Sequence, residues 1–287
     1  MKFSALACLA LSALGPAVHA GSVETAIVAA MKLPDAPNYT WRTSIDDDAR
    51  SYAIDGKTSR GEDLSLVEMP MIAAVRRRSA RGASNSDNIV EAAFKGDEKV
   101  VLHVNDTWQT PDEIRAAAET ALGNGRGGGG FYGGGSGRRG GGPGGTGGRG
   151  GRGGRGDGSV PPYSNLQQTL SRPHEEVAII VANAVDLKAE PDGLSGALSD
   201  TGAKLLLVHP GQSELTPLQG AGTFRFWIKD GVLVRYDVKL QGVVAVSANG
   251  TRREVAVNQT SSTTLSAIGT TSFEIPDDAR KKLAAGT

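Results

Sequence analysis

The chain has 287 residues, with 31 basic and 31 acidic side chains, so its formal net charge is zero. Its one cysteine, Cys8, lies in a segment that we interpret as a signal peptide. After removal of that segment, the chain could form no disulfide bond and no thiolate metal site, and it would have no cysteine nucleophile.

Residues 1–20 have the three parts of a secretory signal. Lys2 provides the positive start, residues 3–14 form a short apolar stretch, and the Val18-His19-Ala20 sequence has small residues where a signal peptidase cleaves. The apolar stretch is shorter than the about 20 residues that a membrane-spanning helix needs. We therefore predict an exported protein, periplasmic or secreted, with a buried N-terminal helix as the alternative.

The first half of the remaining chain alternates between helical and strand patterns. A helical pattern begins near Val23, and the alternating residues 39–43 indicate a strand. Residues 88–94 and 100–104 flank a glycine-containing turn and predict a β-hairpin. Thr110-Pro111-Asp112-Glu113 has the pattern of a capping box and predicts a helix that runs to about residue 122.

Residues 123–158 are more than half glycine and contain six arginines but only one acid, Asp157. Glycine loses much entropy on ordering, and this segment has little apolar surface to offset the loss, so we predict a disordered loop. One interpretation is that the loop is a solvated insertion without a binding role. Alternatively, its arginines could bind an anionic polymer such as a polysaccharide, lipid headgroups or nucleic acid. The candidate residues for this binding are Arg126, Arg138, Arg139, Arg149, Arg152 and Arg155.

The part after this loop favours long antiparallel strands. A helix is predicted to open at Arg172-Pro173, a strand covers residues 185–189, and Ser199 caps a short helix. Strands follow at 223–228, 232–241, 251–265 and 270–275, the middle pair joined through an Asn249-Gly250 turn, and a helix runs from Pro276 to Leu283. We predict an α+β fold in which a curved antiparallel sheet forms an open half-barrel covered by helices.

The sequence contains no catalytic motif, so we expect a non-enzymatic protein without a cofactor. His174-Glu175-Glu176 lacks the spacing of a helical zinc site and is interpreted as the first turn of a helix. Alternating apolar residues of two neighbouring strands share a face, and this face either belongs to an ordinary core or lines a site for an apolar ligand. The candidate ligand-binding residues are Phe224, Phe226, Ile228, Tyr236, Val238 and Leu240.

Residues 224–236, 196–204, 269–271 and 275–283 resemble segments of an uncharacterised group of exported bacterial proteins. That group is similar in layout to the LolA-like and LppX-like carriers of lipoproteins and lipids. The resemblance covers residues 163–284 well and residues 24–122 by layout, and it implies one domain made of residues 21–122 and 159–287, interrupted by the loop at 123–158. It also implies binding of a lipid or of a lipoprotein acyl chain in the cell envelope.

Overall fold

The structure is a computed structural model that describes residues 22–48, 50–70, 89–96, 99–124, 171–208, 215–248 and 251–285. The signal peptide predicted at 1–20 and the turn residues Asn249 and Gly250 lie outside the described residues. So does the predicted disordered loop from residue 125 onward, together with all six of its arginines.

One sheet of eleven strands dominates the described part of the chain. The strands are β1 (Asn38–Asp47), β2 (Arg50–Ser59), β3 (Leu64–Pro70), β4 (Ile89–Lys95), β5 (Lys99–Val104), β6 (Thr107–Gln109), β7 (Ala184–Glu190), β8 (Gly193–Leu198), β9 (Leu215–Lys229), β10 (Val232–Ala248) and β11 (Thr251–Ser266). The helices are α1 (Val23–Asp35), α2 (Pro111–Asn124), α3 (Pro173–Ala182), α4 (Asp200–Leu207) and α5 (Asp277–Ala285).

The sheet consists of two antiparallel meanders that meet at its centre. The strand order is β6-β5-β4-β3-β2-β1-β11-β10-β9-β8-β7, so the first and last of the described strands pair with each other, with Trp41 opposite Leu265. The sheet is curved and does not close, because β6 and β7 are its two edges. The predicted α+β class with an open half-barrel is therefore confirmed.

We call the side of the sheet that bears Trp41, Val67, Phe226 and Tyr236 the inner face, because these residues belong to one large core cluster. Helices α1, α3 and α4 pack together near β7 to β10, and each of them contributes residues to this cluster. Helix α2 adds Ile114 to the cluster from the opposite end of the sheet. Helix α5 covers the outer face of β4 to β6 with a second, smaller cluster that includes Leu283.

Local sequence signals explain where several helices begin. Ser22 and Ser199 accept hydrogen bonds from backbone N–H groups of the first turns of α1 and α4. The capping box of α2 is confirmed, because the Glu113 carboxylate accepts from the Thr110 N–H at 2.7 Å and the Thr110 hydroxyl accepts from the Glu113 N–H at 3.2 Å.

Two of the predicted features differ in the structure. The strand predicted at 270–275 is not formed: residues 271–276 have no regular secondary structure and connect β11 to α5, and the Thr271 N–H donates to the side chain of Asn38. The pairing of β10 with β9 shifts between Leu233 and Arg235, which brings Leu233 into the core while Val234 is only half-buried. Such a bulge interrupts the simple alternation that the sequence suggested.

Candidate functional site

The candidate ligand-binding residues of β9 and β10 lie together on the inner face. Phe224 stands opposite Val238 and Phe226 opposite Tyr236, and Leu240 continues the same face. These five side chains are buried, and Ile228 is half-buried against the same cluster. They form a continuous apolar surface beneath α1, α3 and α4.

A first chain of hydrogen bonds connects α3 to the sheet through Tyr39. The Tyr39 hydroxyl lies 2.5 Å from Nδ1 of His174, which is in the first turn of α3. Tyr39 also hydrogen bonds to the Thr58 side chain, which in turn contacts the Ser65 hydroxyl at 3.2 Å and accepts from the indole N–H of Trp41. The chain therefore runs from α3 across β1, β2 and β3 through buried side chains.

A second chain starts at Glu176 in the same turn of α3. The Tyr236 hydroxyl donates to Oε2 of Glu176 at 2.7 Å. Thr263 stands opposite Tyr236, hydrogen bonds to it, and contacts the Thr43 hydroxyl at 2.8 Å. Glu176 is thereby linked across β10 and β11 to β1, and we refer to Glu176, Tyr236, Thr263 and Thr43 as the glutamate relay.

Ion pairs of Arg172, the residue before α3, also fix the start of this helix. The Arg172 guanidinium donates to Asp63 at 2.7 Å and pairs with Glu175, and the Glu175 carboxylate accepts from the Arg172 backbone N–H at 3.3 Å. Asp63 precedes β3, so this contact ties α3 to the first meander. Polar side chains of α3 thus bond to both meanders of the sheet.

Burial sets the protonation of these groups. Desolvation is the main cause that raises the pKa of Glu176, while the hydrogen bond from Tyr236 partly opposes it. Desolvation also raises the pKa of Tyr236 well above its usual value, with the nearby Glu176 carboxylate as the next contribution. Burial raises the pKa of Tyr39 to about 12. Both tyrosines therefore keep their protons at neutral pH and act as hydrogen-bond donors.

Between the two groups of helices lies the inner face of β11, β1, β2 and β3, which we call the central floor. The described helices pack mainly on the strands to either side of it. Its apolar members are Ile45, Tyr52, Ile54, Val67 and Met69, and Thr43, Ser261 and Thr263 provide hydroxyl groups. Ile45 and Tyr52 are half-buried, whereas the other apolar members are buried. The central floor borders the glutamate relay directly, because Thr43 and Thr263 belong to both.

Sequence reasoning identified part of this site. Tyr236 was a candidate residue, and the first turn of a helix was predicted correctly at 173–176. Tyr39, His174 and Glu176 were missed as a connected set. The available signal was the position of His174 and Glu176 beside the apolar stripe of α3. Val177 and Ile180 belong to this stripe, and both side chains are buried.

Within the ranges that the structure describes, no group of three or more His, Cys, Asp or Glu side chains is arranged to hold a metal ion. The helices of these same ranges include none that is long and apolar enough to cross a membrane.

No protein-family model matches the chain, and no curated protein matches it. Among solved structures, the chain is similar to the crystal structure of Mycobacterium tuberculosis lipoprotein LppX. The two share 10% sequence identity with a TM-score of 0.39, over 86% of this chain and 97% of that chain.

Proposed function

We propose that the protein is an exported, non-catalytic binding protein of the cell envelope that holds an apolar ligand, such as a lipid or a lipoprotein acyl chain. The ligand lies on the inner face of the curved sheet, along the central floor. Binding requires no covalent chemistry, since burial of each methylene group contributes about 0.8 kcal/mol.

The central floor is the observation that carries this proposal. An open sheet has to cover its apolar face, and the described helices pack mainly near its two ends. In the middle, Ile45 and Tyr52 are half-buried members of an otherwise buried apolar surface. Ligand sites are typically apolar surfaces with a few polar groups, and the central floor combines aliphatic and aromatic side chains with three hydroxyl groups.

The candidate residues of β9 and β10 form the wall of this proposed site. Val238 stands opposite Ser261, which stands near Ile45 on the next strand, so the wall and the floor are continuous across β10, β11 and β1. A ligand on the floor would contact the side of the core to which Phe224, Phe226, Ile228, Tyr236, Val238 and Leu240 belong.

Uptake of an uncharged fluorescent probe such as N-phenylnaphthylamine tests the proposal. The probe should bind the wild type, and Ile45→Glu should weaken binding about tenfold or more, because a carboxylate on the floor must be desolvated by the ligand. Ser44→Glu is the matched control, since Ser44 is exposed and adjacent side chains on a strand point to opposite faces.

Circular dichroism should show that both variants are folded, because Ile45 is half-buried and a charge there can remain hydrated. A wild type that binds no such probe would contradict the proposal. Equal loss of binding in Ile45→Glu and Ser44→Glu would also count against it, since the effect would then not depend on the inner face.

A further inference from the structure

Glu176 has an unused hydrogen-bonding position at the edge of the proposed site. Its Oε2 accepts from Tyr236 at 2.7 Å, and among the described residues its other oxygen, Oε1, has no hydrogen-bond partner. Glu176 itself is half-buried, and Oε1 is not one of the fully buried polar atoms that lack a partner, so this oxygen is accessible beside the buried Tyr236. The spare oxygen therefore marks a position where a ligand group can bind.

A carboxyl group at this position is also unfavourable in a core whose only role is packing. Tyr236 is fully buried, and desolvation raises the pKa of Glu176. A polar group in an apolar environment costs free energy unless its hydrogen bonds are satisfied. A polar pair in this position is therefore better explained by recognition of a ligand than by packing.

Resting on the proposed function, we propose that Glu176, oriented by Tyr236, binds the hydroxyl group of an amphipathic ligand whose apolar chain lies on the central floor. The Glu176 carboxyl group hydrogen bonds to the ligand through Oε1. The ligand class is thus an uncharged, hydroxyl-bearing lipid such as a fatty alcohol or a partially acylated glycerol.

A hydroxyl group fits Glu176 in both of its protonation states. It can donate to an ionised carboxylate and accept from a protonated carboxyl group. A ligand carboxylate fits only the protonated state and is repelled by the ionised one, and an ammonium group fits only the ionised state. A hydroxyl-bearing ligand therefore keeps its hydrogen bond over the whole range in which Glu176 titrates.

Among the residues that the structure describes, the groups around Glu176 give no compensating positive charge for a ligand carboxylate. Tyr236 faces Glu176 from β10, and Tyr39 lies beyond it on β1. On α3 itself, His174 bonds to Tyr39, and Glu175 pairs with Arg172, whose guanidinium is also held by Asp63. The buried residues that α1 and α4 contribute are Ala26, Ala29, Ala30, Leu33, Gly202, Ala203 and Leu206, none of which is ionisable.

The test is competition for bound N-phenylnaphthylamine by three ligands with the same chain, namely dodecanol, dodecanoate and dodecylammonium, at neutral pH. The wild type should bind dodecanol about tenfold more tightly than the other two. The double variant Glu176→Leu with Tyr236→Phe removes both partners together, so no buried polar group is left unpaired, and it should lose this preference when each competitor is compared with the variant's own affinity for the probe.

Two further variants separate recognition from structure. Glu176→Gln should keep the preference for dodecanol, because an amide can both donate to and accept from a hydroxyl group. Tyr39→Phe is the matched control, since it makes the same change in the neighbouring chain of hydrogen bonds, and it should leave the preference intact.

The outcomes distinguish this inference from the proposed function. If none of the three ligands displaces the probe from the wild type, and the probe itself does not bind, the proposed function is wrong. If the wild type binds all three ligands equally well, or if the double variant keeps the preference for dodecanol, the role of Glu176 is wrong and the apolar site stands.

Discussion

The Tyr39 hydroxyl lies 2.5 Å from Nδ1 of His174, although the two residues are 135 positions apart in the chain. This contact joins the first strand of the sheet to the helix that follows the glycine-rich segment. His174 is almost fully buried, and the rings of the two residues also meet edge to face at 5.9 Å between centroids. The contact is therefore a structural link between the two halves of the fold.

His174→Ala should lower the free energy of unfolding by about 2 kcal/mol or more, because it leaves the buried Tyr39 hydroxyl with fewer partners and opens a gap under α3. His103→Ala is the matched control, since the His103 side chain is partly exposed on the outer face, where it stacks on Trp108. Urea denaturation should show the larger loss for His174→Ala. Equal losses would contradict the structural role of the Tyr39–His174 contact.

Glu176 should make the fold less stable as the pH rises. Its pKa is raised in the folded state, so its favourable contribution is complete below the unfolded-state pKa of about 4.3 and is lost as the pH increases through the folded-state pKa. Glu176→Gln removes this titration. Relative to the variant, the wild type should lose stability with rising pH in urea denaturation over a series of pH values.

Glu113→Gln provides a control of opposite sign. The hydrogen bond from Lys282 is the main cause that lowers the pKa of Glu113, so its contribution is present at neutral pH and is lost as the pH falls. Wild type and Glu113→Gln should therefore converge toward acid pH. A Glu176→Gln profile that follows the same direction would show that Glu176 is not desolvated.

Gly56 leaves room for the indole ring of Trp41 on the neighbouring strand. A Cβ atom at position 56 would lie 2.2 Å from Cε2 of Trp41, and Trp41 is fully buried. Gly56→Ala should therefore destabilise the protein by about 1–3 kcal/mol through overpacking. Gly61→Ala is the matched control, because nothing lies within 4 Å of a Cβ atom there, and its melting temperature should stay close to that of the wild type.

The relationship between Gly56 and Trp41 also shows why part of the fold escaped sequence reasoning. Strand β10 was predicted because Val, Leu and Tyr alternate with polar residues over a long run, and β11 was predicted because the Asn249-Gly250 pair before it indicates a hairpin. β2 carries few apolar residues, and its glycine is favourable only because Trp41 stands opposite it. The pairing register is needed to see this complementarity, and no local pattern in β2 reveals it.

The sequence also predicted only part of the candidate site. Tyr236 was found because it alternates with Val238 and Leu240 on β10. Glu176 was interpreted as a first-turn residue whose negative charge interacts favourably with the helix dipole, and this interpretation placed it on the correct helix. The partner of Glu176 lies 60 positions away, and a helix start alone does not indicate which first-turn side chains point toward the sheet.

The basic loop predicted at 123–158 gives an expectation that is independent of the ligand site. Replacing its six arginines, Arg126, Arg138, Arg139, Arg149, Arg152 and Arg155, by Gln should abolish binding to heparin, and binding by the wild type should weaken steeply with salt because it depends on counterion release. Retention of heparin binding in this variant would rule out the loop as the anionic-polymer site.

The matched control replaces two arginines of the folded part by Gln. Arg225 and Arg235 stack on Trp227 at 4.8 and 4.6 Å from its ring, and each also pairs with an aspartate at 3.0 Å. Their charges are already balanced, so their replacement should leave heparin binding unchanged.

Val238 lies on the wall of the proposed site. Its side chain is 1% exposed and belongs to the core cluster under the helices, so a charge there would be buried without a partner. Val238→Glu should therefore cost several kcal/mol, a large share of the about 5–15 kcal/mol that stabilise a typical domain, and lower the melting temperature strongly. Lys239→Glu is the matched control, because the next residue on the strand is exposed, and it should leave the melting temperature nearly unchanged. A Val238→Glu protein that stays as stable as the wild type would mean that the wall opens to solvent, and the ligand would then reach β10 itself in addition to the central floor.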